Sequence, residues 1–190
     1  MKERILVTGG TGYIGSHTVV ELQNSGYEVI IIDNLSNSSA DVVDNIEKVS
    51  GIRPVFEKLD CLDFAGLDAM FAKYPGIKAI IHFAASKAVG ESVQKPLLYY
   101  RNNLVSLINL LELMPKHNVG GIVFSSSCTV YGQPDELPVT EQAPIKKAES
   151  PYGNTKQINE EIVRDTVLPV LRSTLSCCVI SIRLVHILQL

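Results

Sequence analysis

The aliphatic run Ile5-Leu6-Val7 passes straight into T-G-G-T-G-Y-I-G at residues 8–15, and no other feature limits the fold as tightly. The run predicts a buried strand. The G-x-x-G-x-x-G spacing of Gly9, Gly12 and Gly15 predicts a tight turn into a helix over about residues 12–25. In such a unit the first glycine permits the turn. The second lets backbone N–H groups approach a pyrophosphate, and the third lets the helix pack close to the sheet. The phosphates would sit at the positive end of the helix. A plain glycine turn is the alternative, and the placement between strand and helix weighs against it.

The rest of the chain repeats the same alternation. Aliphatic runs at 29–32, 54–59, 79–84, 121–125 and 179–184 predict further strands. Between them, helices are expected up to about residue 49, over 64–74, over 96–117 and from 151 to about 167, with Pro96 suited to a first helical turn. Strand and helix in strict alternation argue for an α/β fold with a parallel sheet covered on both faces. The right-handed crossover rule makes that sheet doubly wound, the Rossmann architecture. The helix from Pro96 carries Leu104, Leu107, Ile108, Leu110, Leu111 and Met114 on more than one face. It is expected to be deeply buried, with packing against a partner subunit as the alternative.

Composition excludes several classes. A net charge of −3 without a basic run argues against nucleic acid as a partner. Nothing approaches ~18 consecutive apolar residues, so no membrane span is expected. The four cysteines (Cys61, Cys128, Cys177 and Cys178) form neither a metal-ligand spacing nor C-x-x-C. Free thiols in a reducing cytoplasm are the plain reading, and no metal site is expected.

Asp33 ends the second predicted strand, 18 residues after Gly15. An acidic side chain there can accept hydrogen bonds from both adenosine ribose hydroxyls and would repel a 2′-phosphate, so NAD is expected over NADP. A turn aspartate beside Asn34 is the alternative. Asp60 either meets an adenine edge or caps the next helix. His82 lies inside a strand and reads as a core residue rather than a catalyst. Lys87 follows the fourth strand, where ligands approach open sheets, or is simply solvated.

Tyr152 and Lys156 stand four residues apart in S-P-Y-G-N-T-K and so share one helix face. A free tyrosine titrates near ~10, and bringing it to ~7 takes about 4 kcal/mol. An ammonium one turn away favours the phenolate, and Ser127, in S-S-S-C-T-V-Y-G, can hydrogen-bond to it. A lysine plus a cationic cofactor would supply the energy. With the glycine loop and Asp33 in the same order, the trio points to hydride chemistry on an alcohol. Its members should converge at the C-terminal edge of the sheet.

At this point the chain resembles a known family. T-G-G-T-G-Y-I-G-S-H, D-N-L-S-N-S, F-A-A-S-K-A-V-G-E-S-V, Y-Y-R-N-N, S-S-S-C-T-V-Y-G and S-P-Y-G-N-T-K look like the UDP-glucose 4-epimerases of the extended short-chain dehydrogenase/reductase superfamily. The resemblance covers about residues 2–167. It implies an isomerase of galactose metabolism that holds NAD tightly and takes UDP-galactose or UDP-glucose, with a homodimer as an option. It also implies that Tyr152 takes the proton of the sugar 4-hydroxyl, that Lys156 stabilises the phenolate and holds the nicotinamide ribose, and that Ser127 relays the proton. The cofactor would be lined by Gly9, Gly12, Tyr13, Ile14, Gly15, Asp33, Asn34, Leu35, Ser36, Asn37, Ser38, Asp60 and Cys61. Phe83, Ala84, Ala85, Ser86, Lys87, Asn102, Tyr152 and Lys156 would complete it.

The pattern departs near the end. The family continues with R-Y-F-N-P and a substrate domain. Here Arg183 fits, while Leu184, Val185 and His186 replace Tyr, Phe and Asn. Residues 168–190 hold two of the four cysteines and none of the 20 acidic residues. The expectation is a Rossmann domain over 1–167 and a divergent tail over 168–190, from a truncated or frameshifted frame or a short natural variant, with the substrate domain largely absent. Three functions compete: the epimerase, a non-catalytic NAD-binding module, and another NAD-dependent sugar-nucleotide enzyme such as a dehydratase or decarboxylase. The lack of an acidic residue after Ser127–Cys128 speaks against the dehydratase.

Overall fold

The structure, a computed structural model, describes residues 2–170 and 179–182, with side chains through residue 166. Strand β1 (Arg4–Thr8) leads into helix α1 (Tyr13–Asn24), then β2 (Glu28–Asp33), α2 (Asp41–Ser50), β3 (Val55–Lys58) and α3 (Phe64–Lys73). Next come β4 (Ile77–His82), α4 (Val89–Gln94), α5 (Pro96–Lys116) and β5 (Gly121–Ser125). A 3-10 turn (Cys128–Tyr131), α6 (Pro151–Val170) and β6 (Val179–Ile182) complete the order. The strands form one sheet, β3-β2-β1-β4-β5-β6, and every pairing is parallel.

Period-two alternation sorts the strand side chains into two cores. Leu6, Ile30, Ile32 and Ile80 face α3, α5 and α6 and pack with Leu67, Phe71, Leu107, Leu110 and Val163. Ile5, Val7, Val29 and Ile31 face the other way, onto Val19 of α1 and Ile46 of α2. The order in which strands are added reverses between β1 and β4, so the connections leaving these two parallel strands diverge to opposite faces and open a crevice at their C-terminal ends.

The elements match the sequence reading with three main differences. β4 starts and ends two residues earlier than expected, so Phe83 and Ala84 leave the sheet and become loop. Helix α4 was not anticipated: V-G-E-S-V-Q has a glycine and two β-branched residues, poor helix formers. Tertiary bonds hold it instead, since the buried Tyr99 hydroxyl accepts from Ala88 N at 3.1 Å and donates to Glu91 Oε2 at 2.9 Å. The 3-10 turn was also missed. As expected, α5 is largely buried by its own chain, with Tyr99, Leu107, Leu110, Leu113 and Met114 covered, while Leu97 and Leu98 stay exposed. Among the described residues no helix is long and apolar enough to cross a membrane. Of the tail 168–190, residues 171–178 and 183–190, including Cys177, Cys178 and the segment Arg183, Leu184, Val185 and His186, lie outside the described residues.

Two glycine-to-alanine changes separate close packing from chance occurrence. A Cβ on Gly15 would lie 2.2 Å from Gly9 O and 2.8 Å from Gly10 Cα, backbone atoms that cannot yield cheaply. Gly15→Ala is expected to cost roughly 1–3 kcal/mol in urea denaturation. Gly90, with nothing within 4 Å of its would-be Cβ, lies in α4. Gly90→Ala is expected to be neutral or stabilising by up to about 1 kcal/mol.

Candidate active site

Gly9 turns the chain out of β1 at φ 68°, where a side chain is strained, and a Cβ there would lie 2.8 Å from Ala84 N. The exits of β1 and β4 therefore touch. Thr8 ties them: its carbonyl accepts from Phe83 N at 3.1 Å and its hydroxyl from Ala84 N at 3.2 Å. Helix α1 then begins at Gly12, which offers no capping side chain, and the first turn holds no acidic residue. Tyr13 and Ile14 are exposed there. The first N–H groups of α1 have no intrahelical acceptor and point at the crevice, the arrangement that binds anions.

The Asp33 carboxylate organises the loop after β2. Its Oδ1 accepts from Leu35 N at 2.9 Å and Ser38 Oγ at 3.2 Å, and its Oδ2 from Thr11 N at 3.3 Å. Ser38 also meets Thr11 Oγ1 at 2.7 Å, so the glycine loop and the β2 loop are one unit. Asn34 Oδ1 accepts from Ser36 N at 2.9 Å, Leu35 has φ 61°, and Ser36 and Asn37 are exposed. Asn34 Nδ2 donates to Asp60 Oδ2 at 2.9 Å, while Asp60 Oδ1 accepts from Leu62 N. Asp60 does not cap α3; Asp63 does, accepting from Gly66 N at 3.0 Å. The Cys61 thiol is buried in the same core cluster as Leu67, where burial pushes its pKa up to about 12. Only its backbone remains for a crevice contact.

The segment after β4 is held from α5. Asn103, 1 % exposed, accepts from Ser86 N at 2.8 Å and donates to Ser86 O at 3.0 Å and to Thr155 Oγ1 at 3.1 Å. Asn102 Nδ2 donates to Ser86 Oγ at 3.1 Å. Phe83, Ala84, Ala85 and Ser86 are half-buried, and Lys87 is exposed. Asn103 was passed over in the sequence because one asparagine of an N-N pair looks like the other. Only the helix phase, which turns Asn103 inward toward α6, tells them apart.

Ser127, Tyr152 and Lys156 meet at the edge of the sheet. The Ser127 hydroxyl accepts from Thr129 N and from Thr129 Oγ1 at 3.0 Å and is hydrogen-bonded to the Tyr152 side chain. Lys156 Nζ lies 5.9 Å from the Tyr152 ring centroid and 4.8 Å from that of Phe124, and it donates to Ser125 O at 2.8 Å. Burial lowers the Lys156 pKa to about 8, so the ammonium persists at neutral pH.

For Tyr152 the lysine alone does not lower the pKa. In the chain alone its pKa is raised, because burial outweighs the Ser127 hydrogen bond, and the nearby Cys128 acts in the same direction as burial. A cation about 6 Å away in an effective dielectric of ~20 is worth on the order of 3 kcal/mol. That falls short of the ~4 kcal/mol needed for ionisation near neutrality, before the burial penalty. One lysine is not enough. His82 behaves as a core residue: fully buried, it contacts Thr8 Oγ1 through Nδ1 at 2.7 Å, and burial and then Lys156 hold its pKa down to about 3. No group of His, Cys, Asp and Glu suited to a metal ion occurs among the described residues.

The sequence pattern of the NAD dependent epimerase/dehydratase family matches residues 5–186, and the chain belongs to that family. The match runs into the tail that composition set apart. The chain is 54 % identical over 161 residues to UDP-glucose 4-epimerase of Bacillus subtilis, covering 85 % of this chain and 47 % of that protein. It is 49 % identical over 171 residues to the human UDP-glucose 4-epimerase, covering 87 % and 49 %. A crystal structure of UDP-glucose 4-epimerase from Bifidobacterium longum in complex with NAD⁺ and UDP superposes with a TM-score of 0.87 at 44 % identity, over 94 % of this chain and 52 % of that one. The chain thus spans about half the length of the curated relatives it matches.

Two buried bases give the fold a pH signature. The unfolded chain protonates His82 near 6.5 while the folded chain resists to about 3, so stability falls as pH drops through that window, by up to about 1.4 kcal/mol per unit. Lys156 is depressed from 10.5 to about 8, so its contribution rises as pH climbs between those values. Urea titrations should show the acid slope flatten in His82→Gln and the alkaline rise vanish in Lys156→Met.

Proposed function

We propose that the chain is the nucleotide-binding part of a UDP-hexose 4-epimerase, holding NAD and interconverting UDP-galactose and UDP-glucose at sugar C4, a step of galactose metabolism. The observation that carries this reading is the Ser127–Tyr152–Lys156 cluster at the C-terminal end of β5. The residues present fit the dinucleotide. The uncapped first turn of α1 suits a pyrophosphate. Asp33 Oδ2, with a single acceptor bond among the described residues, has capacity for a ribose hydroxyl. The relatives' printed names support the sugar nucleotide, and the bound NAD⁺ and UDP of the Bifidobacterium structure support both ligands. A homodimer through the exposed Leu97 and Leu98 of α5, and a reducing cytoplasm suited to the exposed Cys128 thiol, belong to the same reading.

When bound, NAD supplies the hydride acceptor and donor. The chain's own groups supply the proton chemistry. Tyr152 takes the proton of the sugar 4-hydroxyl as the C4–H bond is cleaved, and returns it when hydride comes back to the opposite face of the 4-keto sugar. Ser127 hydrogen-bonds the reacting oxygen and passes the proton to Tyr152. Lys156 holds the nicotinamide ribose and contributes one of the cations that favour the phenolate. A second positive charge is required by the energetics above, so Tyr152 is a competent base only with oxidised cofactor in place. The neutral His82 adds no competing charge beneath the site.

The test is conversion of UDP-galactose to UDP-glucose by the purified chain, with bound NAD measured after denaturation. Tyr152→Phe is expected to retain NAD and lose about 10²–10⁴-fold in turnover. Bound NAD with no turnover in the parent chain would leave the binding-module reading.

A further inference from the structure

The S-S-S segment leaving β5 runs along a single face of α6. Ser125 O accepts from Lys156 Nζ at 2.8 Å, and the Ser127 hydroxyl bonds the Tyr152 side chain. Between them, Ser126 Oγ donates to Glu160 Oε1 in a short hydrogen bond. Tyr152, Lys156 and Glu160 are spaced by four residues and so form one stripe along α6. Three consecutive residues of the segment thus meet three consecutive rungs of the helix. The last rung, Glu160, is the unexpected one. Ser126 is 6 % exposed and Glu160 8 %, and burying a carboxylate is costly unless it is well hydrogen-bonded. The proton chemistry described above makes no use of either residue.

We propose that Glu160 is a positioning residue: by holding Ser126 it fixes the Ser125 carbonyl at Lys156 and the Ser127 hydroxyl at Tyr152. This rests on the reading of Tyr152 as the proton acceptor. The mechanical argument is local. Ser126 contributes the peptide units on both sides, so rotating it displaces the Ser125 carbonyl and the Ser127 Cα together. The Ser126 hydroxyl is the donor and Glu160 Oε1 the acceptor, and this short buried bond suits an anchor for a turn. The other groups facing Tyr152 are Cys128 from the 3-10 turn, Lys156 from its own helix and Tyr99 from α5; His82 of β4 faces Lys156.

The readout is the ionisation of Tyr152 itself, followed as ultraviolet phenolate absorbance at one fixed NAD⁺ concentration. Subtracting the matching Tyr152→Phe protein removes the signal of the other tyrosines. Glu160→Ala is expected to move the Tyr152 midpoint upward by about half a unit to one unit, because the bond favouring the phenolate is misplaced. Glu160→Gln keeps an acceptor oxygen and is expected to restore most of the shift. Should Glu160→Ala fold poorly, Ser126→Ala removes the same bond from the other side and is expected to raise the midpoint likewise. An unchanged midpoint in the folded alanine variant, or a glutamine shift as large as that of alanine, overturns the proposal. The midpoint needs no turnover. A parent chain that fails to epimerise, yet shows the shift and its rescue, counts against the functional reading and not against the role of Glu160.

Discussion

The hydrogen bonds of Thr8 with the chain leaving β4 hold the site open. Thr8 is fully buried at the last position of β1, and it pairs with Phe83 and Ala84 through its carbonyl and its hydroxyl. That junction joins the neighbouring strands whose connections go to opposite sides of the sheet. The glycine loop starts from one side of it, and the 83–87 segment that meets α5 starts from the other. Gly9 is what allows the approach, since any Cβ there would collide with Ala84. The crevice follows from two parallel strands brought together at their ends while their connections part.

From this junction two networks run outward without mixing. One is acidic and half-buried: Asp33 accepts from Thr11 N of the glycine loop as well as from Leu35 N, and Asp60 accepts from Asn34 of the β2 loop as well as from Leu62 N, so the three loops are joined. The other is cationic and lies across β4 and β5, where Lys156 is covered by Phe124 and fastened to Ser125 O. The neutral His82 sits between that lysine and Thr8. A protonated imidazole there would repel the ammonium, and burial prevents it. Under the proposed reading, the adenosine side of a dinucleotide would lie near Asp33 and the reacting side near Lys156.

Much of this was legible in the sequence, for a physical reason. Period-two aliphatic runs, glycine spacing and a four-residue Tyr–Lys interval are local properties, and local geometry turns them directly into a strand, a turn and a shared helix face. What was missed depends on long-range partners. Helix α4 exists because Tyr99, from the following helix, grips Ala88 and Glu91, and its own residues do not favour a helix. Asn103 and Glu160 look like ordinary helix polars until tertiary structure points them inward at Ser86 and Ser126. The burial of Tyr152 is long-range in the same way. The sequence shows the neighbouring lysine, but the desolvation that outweighs it becomes visible only once the surrounding chain is in place.

The two titrating groups of the cluster constrain each other, and the order of their pKa values decides whether the site works as a base. Lys156 loses its proton near 8, whereas Tyr152 in the chain alone lies above its ordinary value. Raising the pH would therefore strip the ammonium first and leave the tyrosine neutral with no cation beside it. The useful state, phenolate next to ammonium, is populated only if something draws the tyrosine below the lysine. Once that inversion occurs each charge supports the other, so the pair titrates as a unit and its working window widens. A positive charge entering the crevice favours the phenolate but disfavours Lys156. The inversion therefore needs an incoming charge closer to the phenolic oxygen than to Nζ. Lys156 Nζ is tethered to Ser125 O, while the Tyr152 side chain meets Ser127, so the two groups are held by different residues of the segment leaving β5.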